Sequence, residues 1–459
     1  MNDLQGMVPP TVVAASRPYG RWGVAFGPRF FLLLLMGVLW LTLAFFDLRW
    51  AYAMLAWDGA VALAWIVDLL RLPRSAQVKV RRTWHGPPAL SVTSEVELTL
   101  INEAIATLHS VALDAVPPQL RAEPPQLDIS VTGRSEASKR YTVRPSQRGA
   151  ANLGDVYVRY QSIFRIAERW VRVPLEQRVQ IYPNLEEAKK HSVFLVRSRQ
   201  IEMEKRHTRI RGIGREFESL REYREGDEYR DICWTAAARR GKLVTRIYQV
   251  ERSQTVWIVI DSGRLMRARI RDLTKLDYAI NAALSLAQVA LYSGDRVGLL
   301  AYGRKLQQRV PAARGSAHLR QMMEQLATIH EETSEADHLR TAALLLTDQK
   351  RRSLVVWLTD LAETAMTPEV VEAASQMMPR HLVLFVVIGQ PDLNELAAQE
   401  PRDKEQMYKI AAAQEMIHRR ELLLARLRER GALALEVSSA SLAPVLVNSY
   451  LEVKARNKL

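Results

Sequence analysis

The chain has 459 residues, of which 48% are hydrophobic, so it is long enough for two to four domains with sizeable cores. Its formal net charge of +14 is compatible with an anionic membrane surface, an acidic partner or nucleic acid. The single cysteine, Cys233, excludes a framework of intramolecular disulfides, and the sequence has no Cys/His spacing typical of a zinc site.

Two apolar segments lie near the N-terminus, separated by only four residues. The first, Phe30–Phe46, carries no charge, and the second, Ala51–Leu70, contains only Asp58 and Asp68 as charged residues. Each is about as long as a helix that crosses ~30 Å of hydrocarbon. Since so short a loop forces the two segments to run antiparallel, the pattern predicts a transmembrane helical hairpin over residues 30–72.

Basic residues flank both sides of this predicted hairpin. They are Arg17, Arg21 and Arg29 before it, and Arg71, Arg74, Lys79, Arg81 and Arg82 after it. Because positive charge favours the cytoplasmic side, we expect a cytoplasmic N-terminal tail at 1–29 and cytoplasmic soluble domains after the hairpin. A cleaved signal peptide is the competing interpretation, since Ala51-Tyr52-Ala53 mimics a cleavage site. The 29-residue leader and the second apolar segment argue against it.

Residues 75–184 alternate apolar and polar residues in several short segments, which Pro and Gly clusters separate. The segments are QVKVRRTW, EVELTLINE, HSVALDAV, RYTVRP, GDVYVRY and WVRVPLEQRVQIYP. This spacing predicts an antiparallel β-sandwich of immunoglobulin-like size. The Cys–Trp–Cys signature is missing, so the topology stays open, and we interpret the module as a spacer or interaction domain.

A densely charged segment follows, GIGREFESLREYREGDEYRDICWTAAARRGKL, from Gly212 to Leu243. Its G-x-G is weak as a nucleotide signal because Phe217 occupies the place of a third glycine and no strand pattern precedes it. Acidic and basic residues are nearly balanced, whereas a nucleic-acid surface carries one sign of charge. The composition therefore favours an ion-pair lattice or a protein-docking face, and no nucleic acid.

Local patterns within this segment predict a short helix and a strand. Asp227 is expected to cap a helix that runs to about Arg240 and is followed by Gly241. Trp234 is expected in the core, with a stacking platform for an arginine as the alternative. The residues KLVTRIYQVE are then expected to form a strand that leads into the main sheet of the next domain.

The charged segment resembles the signature of the bacterial membrane-protein family known as domain of unknown function 58. The residues that carry the resemblance are Gly212, Gly214, Glu216, Phe217, Arg221, Tyr223, Gly226, Asp227, Arg230, Ile232, Trp234, Ala238, Arg239, Leu243 and Arg246. The resemblance implies a two-pass protein of the bacterial inner membrane that partners MoxR-type AAA+ ATPases and other proteins with A-type domains. No catalytic residue comes with that family. Residues 185–252 are thus predicted to be a connector, whose charges serve either the junction between domains or the binding of a partner.

Residues 253–459 alternate buried-strand and helix patterns, which predicts a doubly wound α/β domain with a mainly parallel sheet. Two of its strands end in aspartate, at Asp261 and Asp360, and ligand sites in such sheets lie beyond the carboxyl ends of the strands. The arrangement resembles a von Willebrand factor A domain, whose first strand ends in D-x-S-x-S and whose later strand ends in T-D. We therefore expect an A-like domain.

The resemblance to an A domain implies a metal site built from hydroxyls and carboxylates, since Mg²⁺ prefers oxygen ligands. Here Gly263 and Leu265 stand at the serine positions. Three carboxylates could still meet as a degenerate site: Asp261, Asp337 and Asp360. Arg264, beside the first of them, could instead replace the cation by a fixed charge. We expect a metal-free edge and no cofactor.

The sequence as a whole favours a membrane-anchored, non-enzymatic adaptor or scaffold. Its A-type domain would dock a cytoplasmic partner, a MoxR-type AAA+ ATPase or the client of that ATPase. A metal-dependent hydrolase that uses the strand-end aspartates is one alternative. An extracytoplasmic adhesion protein of inverted topology is another.

Overall fold

The structure is a computed structural model that describes residues 7–45, 47, 49–184, 216–224, 227–249, 254–361 and 369–456. The chain divides into two compact units, Met1–Asn184 and Leu185–Leu459. Each unit has a hydrophobic core of its own. Apart from the N-terminal segment, which is described below, the segments expected from the sequence stay a prediction.

Three apolar helices lie in the first unit: α1 (Pro28–Gly37), α2 (Leu39–Ala44) and α3 (Arg49–Arg71). Within the described residues, α3 alone is both long and apolar enough to cross a membrane, and Pro28–Leu43 is a shorter apolar stretch. The indole nitrogen of Trp57 on α3 donates a hydrogen bond to the carbonyl oxygen of Leu33 on α1 at 2.9 Å. The helices therefore pack side by side.

Twelve strands form the rest of the first unit as described. They are β1 (Val12–Ala15), β2 (Arg17–Pro18), β3 (Val24–Phe26), β4 (Val78–Trp84), β5 (Ser94–Asn102), β6 (Leu108–Asp114), β7 (Gln126–Val131), β8 (Ser135–Val143), β9 (Gly149–Leu153), β10 (Val156–Gln161), β11 (Ala167–Val173) and β12 (Gln177–Ile181). One antiparallel sheet has the order β1-β4-β5-β8, and a second has the order β2-β11-β10-β6-β7, with β3 also paired to β11. Strands β12 and β9 form a separate pair. Alternate residues such as Val80, Leu98 and Val158 fill one shared core, as the period-two pattern predicts.

A buried ion pair crosses this core. Arg82 donates hydrogen bonds from Nε to Asp114 Oδ2 at 3.0 Å and from a second guanidinium nitrogen to Asp114 Oδ1. Tyr141 donates its hydroxyl hydrogen to Asp114 Oδ2 at 2.7 Å, and Arg82 also donates to the carbonyl oxygen of Leu175 at 2.7 Å. Both charges are thus compensated, as a fully buried pair requires.

The segment expected to be a separate N-terminal tail belongs to the sheets instead. Strand β1 pairs with β4, with Val12 opposite Arg82, and strands β2 and β3 both pair with β11. Both sheets therefore combine strands from before the helices with strands from after them. The expectation was wrong because strands of two to four residues carry almost no periodicity, and only their partners define them.

Asp68, near the end of α3, attaches this helix to the sheets. Its side chain is buried and accepts hydrogen bonds from Ser162 Oγ at 2.5 Å and from the main-chain nitrogens of Ile166 at 3.2 Å and Ala167 at 2.9 Å. Ser162 and Ile166 lie in the loop that connects β10 to β11, and Ala167 is the first residue of β11. The last turn of α3 is consequently part of the folded body of the first unit.

The second unit begins, in the described residues, with a small antiparallel pair and a helix. Strand β13 (Glu216–Glu222) pairs with β14 (Val244–Gln249), and helix α4 (Trp234–Arg240) lies between them in sequence. The strand expected from KLVTRIYQVE therefore pairs with the charged segment itself and does not enter the main sheet. Arg240 and Gly241 end the helix as predicted, with Gly241 in the left-handed conformation at φ 64°.

The larger part of the second unit alternates strands and helices. Its elements are β15 (Thr255–Asp261), β16 (Arg269–Ile270), β17 (Leu273–Thr274), α5 (Lys275–Tyr292), β18 (Arg296–Tyr302), β19 (Leu306–Ala313), α6 (Ser316–Thr328), α7 (His338–Asp348), β20 (Leu354–Thr359), α8 (Glu369–Met377), β21 (Leu382–Gly389), α9 (Pro391–Ala397), α10 (Lys404–Glu429), β22 (Leu433–Ser438) and α11 (Leu442–Ala455). Six strands form one sheet in the order β19-β18-β15-β20-β21-β22. All neighbours are parallel except β19, which runs antiparallel at the edge. Counted along this unit, the order is 3-2-1-4-5-6, the arrangement of a doubly wound sheet.

Candidate functional site at the carboxyl edge of the sheet

The two aspartates predicted at strand ends lie side by side at the carboxyl edge of the main sheet. Asp261 is the last residue of β15 and Asp360 directly follows β20, the parallel neighbour of β15. The strand order reverses between these two strands, and ligands of doubly wound sheets bind at such a reversal. We define this edge, with its loops, as the candidate site.

Asp261 is buried and is used to hold the edge together. Its Oδ1 accepts a hydrogen bond from the main-chain nitrogen of Gly263 at 2.7 Å, and its Oδ2 accepts one from Thr359 Oγ1 at 2.6 Å. Burial raises the pKa of this carboxyl above its ordinary value, which the nearby His338 and these hydrogen bonds partly oppose. The carboxylate thus joins β15 to β20.

Asp360 lies in a chain of alternating charges, of which three are buried and Glu436 is exposed. Lys275 Nζ is 2.5 Å from Asp360 Oδ2, and a guanidinium nitrogen of Arg420 is 3.3 Å from Asp360 Oδ1. Arg420 also contacts Glu436 Oε1 at 2.6 Å. We call these four residues the ion-pair chain. It joins the start of α5, the end of β20, helix α10 and strand β22.

Asp337 caps a helix at the same edge. Its Oδ1 accepts a hydrogen bond from the main-chain nitrogen of Arg340 at 2.9 Å, so it is the N-cap of α7. Its own main-chain nitrogen donates to the carbonyl oxygen of Gly303 at 2.9 Å. Its carboxylate therefore already serves the first turn of that helix.

The donors at the edge do not fit a magnesium ion. In the part of the chain that the structure describes, no three His, Cys, Asp or Glu side chains are placed to hold one metal. The Lys275 ammonium group lies against Asp360, where a metal would need the carboxylate oxygen. The buried hydroxyl of Ser262 accepts a hydrogen bond from Gln307 Nε2 at 3.0 Å. Within the described residues the three carboxylates therefore do not meet as one set of metal ligands, and the metal-free edge stays a prediction.

The fixed positive charge at this edge comes from a different residue than expected. Arg264 opens a turn at Arg264–Arg267 and contacts Glu335 at 3.4 Å, with both side chains exposed. The buried cations are Lys275 and Arg420. A signal for Lys275 was present in LTKLD, because a lysine in the first turn of a helix is opposed by the helix dipole and needs an acidic partner.

A polar cluster lies next to Asp261. The hydroxyl of Tyr302 accepts a hydrogen bond from the indole nitrogen of Trp357 at 2.6 Å and shares another with His338 Nδ1 at 2.8 Å. Burial, and then the Asp261 carboxylate, raise the pKa of Tyr302 well above its ordinary value. The tyrosine is accordingly a neutral structural group and not an acid that loses a proton near neutral pH.

The charged segment, the other site predicted from the sequence, contains an ion pair in which both side chains are partly buried. A guanidinium nitrogen of Arg221 is 2.6 Å from Asp227 Oδ1, and Asp227 Oδ2 accepts from the main-chain nitrogen of Arg224 at 3.0 Å. That main-chain hydrogen bond, followed by Arg221, holds the pKa of Asp227 below its ordinary value. Asp227 therefore binds the main chain of Arg224. It does not cap α4, which begins at Trp234 with Cys233 as its N-cap.

Trp234 is exposed at 66%, so its predicted place in the core is wrong. It is the first residue of α4, whose buried position is Ala237. The ring of Tyr223 stacks on Tyr229 with 6.3 Å between ring centroids. The remaining predicted residues are distributed as follows: Arg230 in the turn before α4, Arg239 in its last turn, Glu216 and Phe217 on β13, and Gly212, Gly214 and Gly226 outside the described residues.

Comparison with known proteins finds a family match that covers most of the charged segment and much of the α/β part of the second unit. Residues 219–419 match the family described as "Protein of unknown function DUF58". The uncharacterized protein Rv1480 of Mycobacterium tuberculosis is 27% identical over 153 residues, which are 33% of this chain and 48% of that protein. The uncharacterized protein YeaD of Bacillus subtilis is 24% identical over 112 residues, which are 24% of this chain and 26% of that protein. The matched part thus spans about half the length of the mycobacterial relative and a quarter of the Bacillus one.

Similar solved structures include the conserved hypothetical protein BatB of Bacteroides thetaiotaomicron, which is 16% identical and has a TM-score of 0.30. The match covers 44% of this chain and all of that chain. An aerotolerance-related membrane protein of Bacteroides fragilis has 16% identity, covers 45% of this chain and all of its own, and gives a TM-score of 0.30. The von Willebrand factor domain of the pilus tip protein Mfa5 of Porphyromonas gingivalis is 8% identical to this chain and has a TM-score of 0.32. The match covers 44% of this chain and 95% of that domain's chain. The family match over residues 219–419 confirms the resemblance seen in the charged segment, and we identify the chain as a protein with a DUF58 region.

Proposed function

We propose that this protein is a membrane-anchored, non-enzymatic adaptor whose α/β unit docks a cytoplasmic partner. The observation that carries the proposal is the ion-pair chain at the carboxyl edge of the sheet. It neutralises Asp360, a carboxylate that a hydrolase would need, with Lys275 and Arg420. The rim of the same edge stays exposed at Arg264 and Arg267, where a partner has access.

The partner class follows from the family resemblance of the charged segment. We propose a MoxR-type AAA+ ATPase or its client, with other A-domain proteins as further partners. The exposed Trp234 supports a docking role, because a large aromatic side chain at 66% exposure is typical of interface residues.

The anchor is proposed to be a two-pass helical hairpin in a bacterial inner membrane. Strands β1 to β3 precede the helices and β4 to β12 follow them, yet both groups pair in the same two sheets. A membrane-inserted helix pair can connect these two groups of strands only if both groups lie on the same side of the membrane. An even number of crossings meets that requirement, and the basic flanks favour the cytoplasmic side.

The sidedness is tested by cysteine labelling in a Cys233→Ser background. Asp47→Cys lies in the loop between α2 and α3, and Glu123→Cys is exposed in the first unit. We expect an impermeant maleimide to label position 47 in intact spheroplasts and position 123 only after lysis. The reverse pattern would support the extracytoplasmic adhesion protein.

The adaptor role is tested by recovering the tagged full chain from membranes in a mild detergent. We expect mass spectrometry to identify an AAA+ ATPase that an unrelated two-pass membrane protein with the same tag does not recover. Repeated recovery without an ATPase would refute the proposed partner. A phosphatase activity of the purified chain that Asp360→Asn abolishes would refute the non-enzymatic role.

A further inference from the structure

A cleft of about 470 Å³ opens at the carboxyl edge of the main sheet. Its walls come from the Arg264–Arg267 turn, the first turn of α5, the end of β20, the end of β21 and helix α10. The lining side chains that matter here are Arg264, Arg267, Lys275, Asp360, Gln390 and Met416. The cleft therefore lies at the point of strand reversal where ligands of doubly wound sheets bind.

Positive charge is in excess around this cleft. Three basic side chains and one carboxylate line it, and Glu335 adds a second carboxylate next to Arg264. Lys275 is neutralised by Asp360 within the ion-pair chain. Arg267 is exposed and forms no ion pair within the described parts of the chain. Among the described residues, the positive charge of Arg267 is thus not balanced by a neighbouring carboxylate, and an anion that enters the cleft can contact it.

The form of this charge favours a carboxylate over a phosphate. A single excess positive charge matches a monoanion. The second negative charge of a phosphate dianion would instead be repelled by the two carboxylates. A guanidinium group such as that of Arg267 binds a planar carboxylate through two parallel hydrogen bonds. Met416 and Leu265 add apolar surface for the methylene groups of a glutamate side chain, and Gln390 adds an amide.

We infer that this cleft binds an acidic side chain of the docking partner, with Arg267 as the residue that receives the carboxylate. The inference rests on the proposed adaptor function and names the chemistry that the partner presents. In this arrangement Lys275 and Asp360 shape the floor of the cleft, and the protein's own guanidinium group supplies the positive charge that holds the ligand.

The test measures fluorescence anisotropy of a labelled tetraglutamate peptide against the full chain in detergent. Tetraglutamine with the same label is the neutral comparison. We compare Arg267→Glu and Arg267→Gln with Arg314→Glu, a matched control because Arg314 is exposed after β19, at the opposite edge of the sheet. We expect saturable binding of tetraglutamate that weakens about tenfold or more in both Arg267 variants and changes less than about twofold in Arg314→Glu.

Three outcomes would overturn the inference. Equal weakening in Arg314→Glu would mean attraction to the overall positive charge of the protein. Unchanged binding in the Arg267 variants would place the carboxylate elsewhere. Displacement of the peptide by inorganic phosphate but not by acetate at equal ionic strength would make the cleft a phosphate site.

The same variants separate this inference from the proposed function. If tetraglutamate binding depends on Arg267 but no ATPase is recovered from membranes, the cleft binds carboxylates as inferred and the proposed partner is wrong. If Arg267→Glu recovers the ATPase as well as the wild type does, the adaptor role remains and the cleft is not its docking site.

Discussion

Replacing Lys275 by methionine should destabilise the α/β unit strongly. Its ammonium group is 2.5 Å from Asp360 Oδ2, and the two side chains are 1% and 2% exposed. Removing one partner of a buried ion pair costs about 3–5 kcal/mol, because the other charge stays buried without compensation. Asp360 keeps Arg420 at 3.3 Å, so we expect the lower end, about 3 kcal/mol. Methionine preserves the length of the apolar stem, so the cavity contribution is small.

The assay is hydrogen exchange with mass spectrometry on the full chain in detergent. Peptides that cover β15 and β20 report the opening of this sheet specifically. A loss of about 3 kcal/mol corresponds to roughly a hundredfold larger opening equilibrium, since 1.36 kcal/mol is tenfold. Lys350→Met is the matched control, because Lys350 is exposed and lies in the same unit.

The double variant Lys275→Met/Asp360→Leu tests the electrostatic explanation. It removes both charges and leaves Arg420 with Glu436, so it should recover most of the stability that Lys275→Met loses. If Lys275→Met exchanges like Lys350→Met, the buried pair does not exist as described. If the double variant is as unstable as the sum of the two single changes, packing and not charge explains the loss.

Three further predictions concern other parts of the chain. Asp114→Ala should lower the free energy of unfolding of the first unit by about 3–5 kcal/mol in urea titrations, because it leaves Arg82 buried without a carboxylate. Trp234→Ser should change the free energy of unfolding by less than about 0.5 kcal/mol, since the ring is exposed, while it reduces recovery of the partner. Burial, and then Arg380, lower the pKa of His381. The unfolded state then binds the proton more tightly than the folded state, so the contribution of His381 to stability is complete above about pH 6.5 and is lost as the pH falls. His381→Gln removes this titrating group. Between pH 7.5 and pH 5.5 the urea midpoint of His381→Gln should therefore fall less than that of the wild type.

A charge reversal tests what the pair in the charged segment does. Arg221→Glu should place two carboxylates together at Asp227 and destabilise the β13–β14 pair, as seen in faster exchange of β14 peptides. Arg221→Glu/Asp227→Lys restores opposite charges. If the double variant recovers both the slow exchange and the partner, the pair holds the local structure; if it recovers the exchange alone, the partner recognises these charges.

The strands of the main sheet were largely predictable because buried parallel strands are continuous apolar runs. The run TVWIVID gave β15, and SLVVWLTD gave β20. The edge strand Leu306–Ala313 escaped prediction, since it is half exposed and contains Pro311, which is tolerated only at an edge. Helix Pro391–Ala397 was missed because it is short and has no buried residue.

The candidate site was predictable in position but not in chemistry. Strand ends alone placed Asp261 and Asp360 at one edge. Their partners come from distant parts of the chain: Lys275 is 85 residues and Arg420 is 60 residues away from Asp360. No local pattern specifies such pairings, and so the sequence left open whether a metal, Arg264 or another cation neutralises the carboxylates.

The strands before the helices also determine when the first unit can be completed. Strands β1 to β3 leave the ribosome first, yet their partners, β4 and β11, are made only after the helices. For a chain anchored as proposed, both sheets keep an unpaired edge until the two flanks have met on one side of the membrane. A chain inserted with a single crossing would separate them and leave those edges open, which exposes it to aggregation and proteolysis. For a chain anchored in this way, the first unit can fold correctly only if the helices are inserted correctly. A protease that recognises open sheet edges would then remove the wrongly inserted molecules.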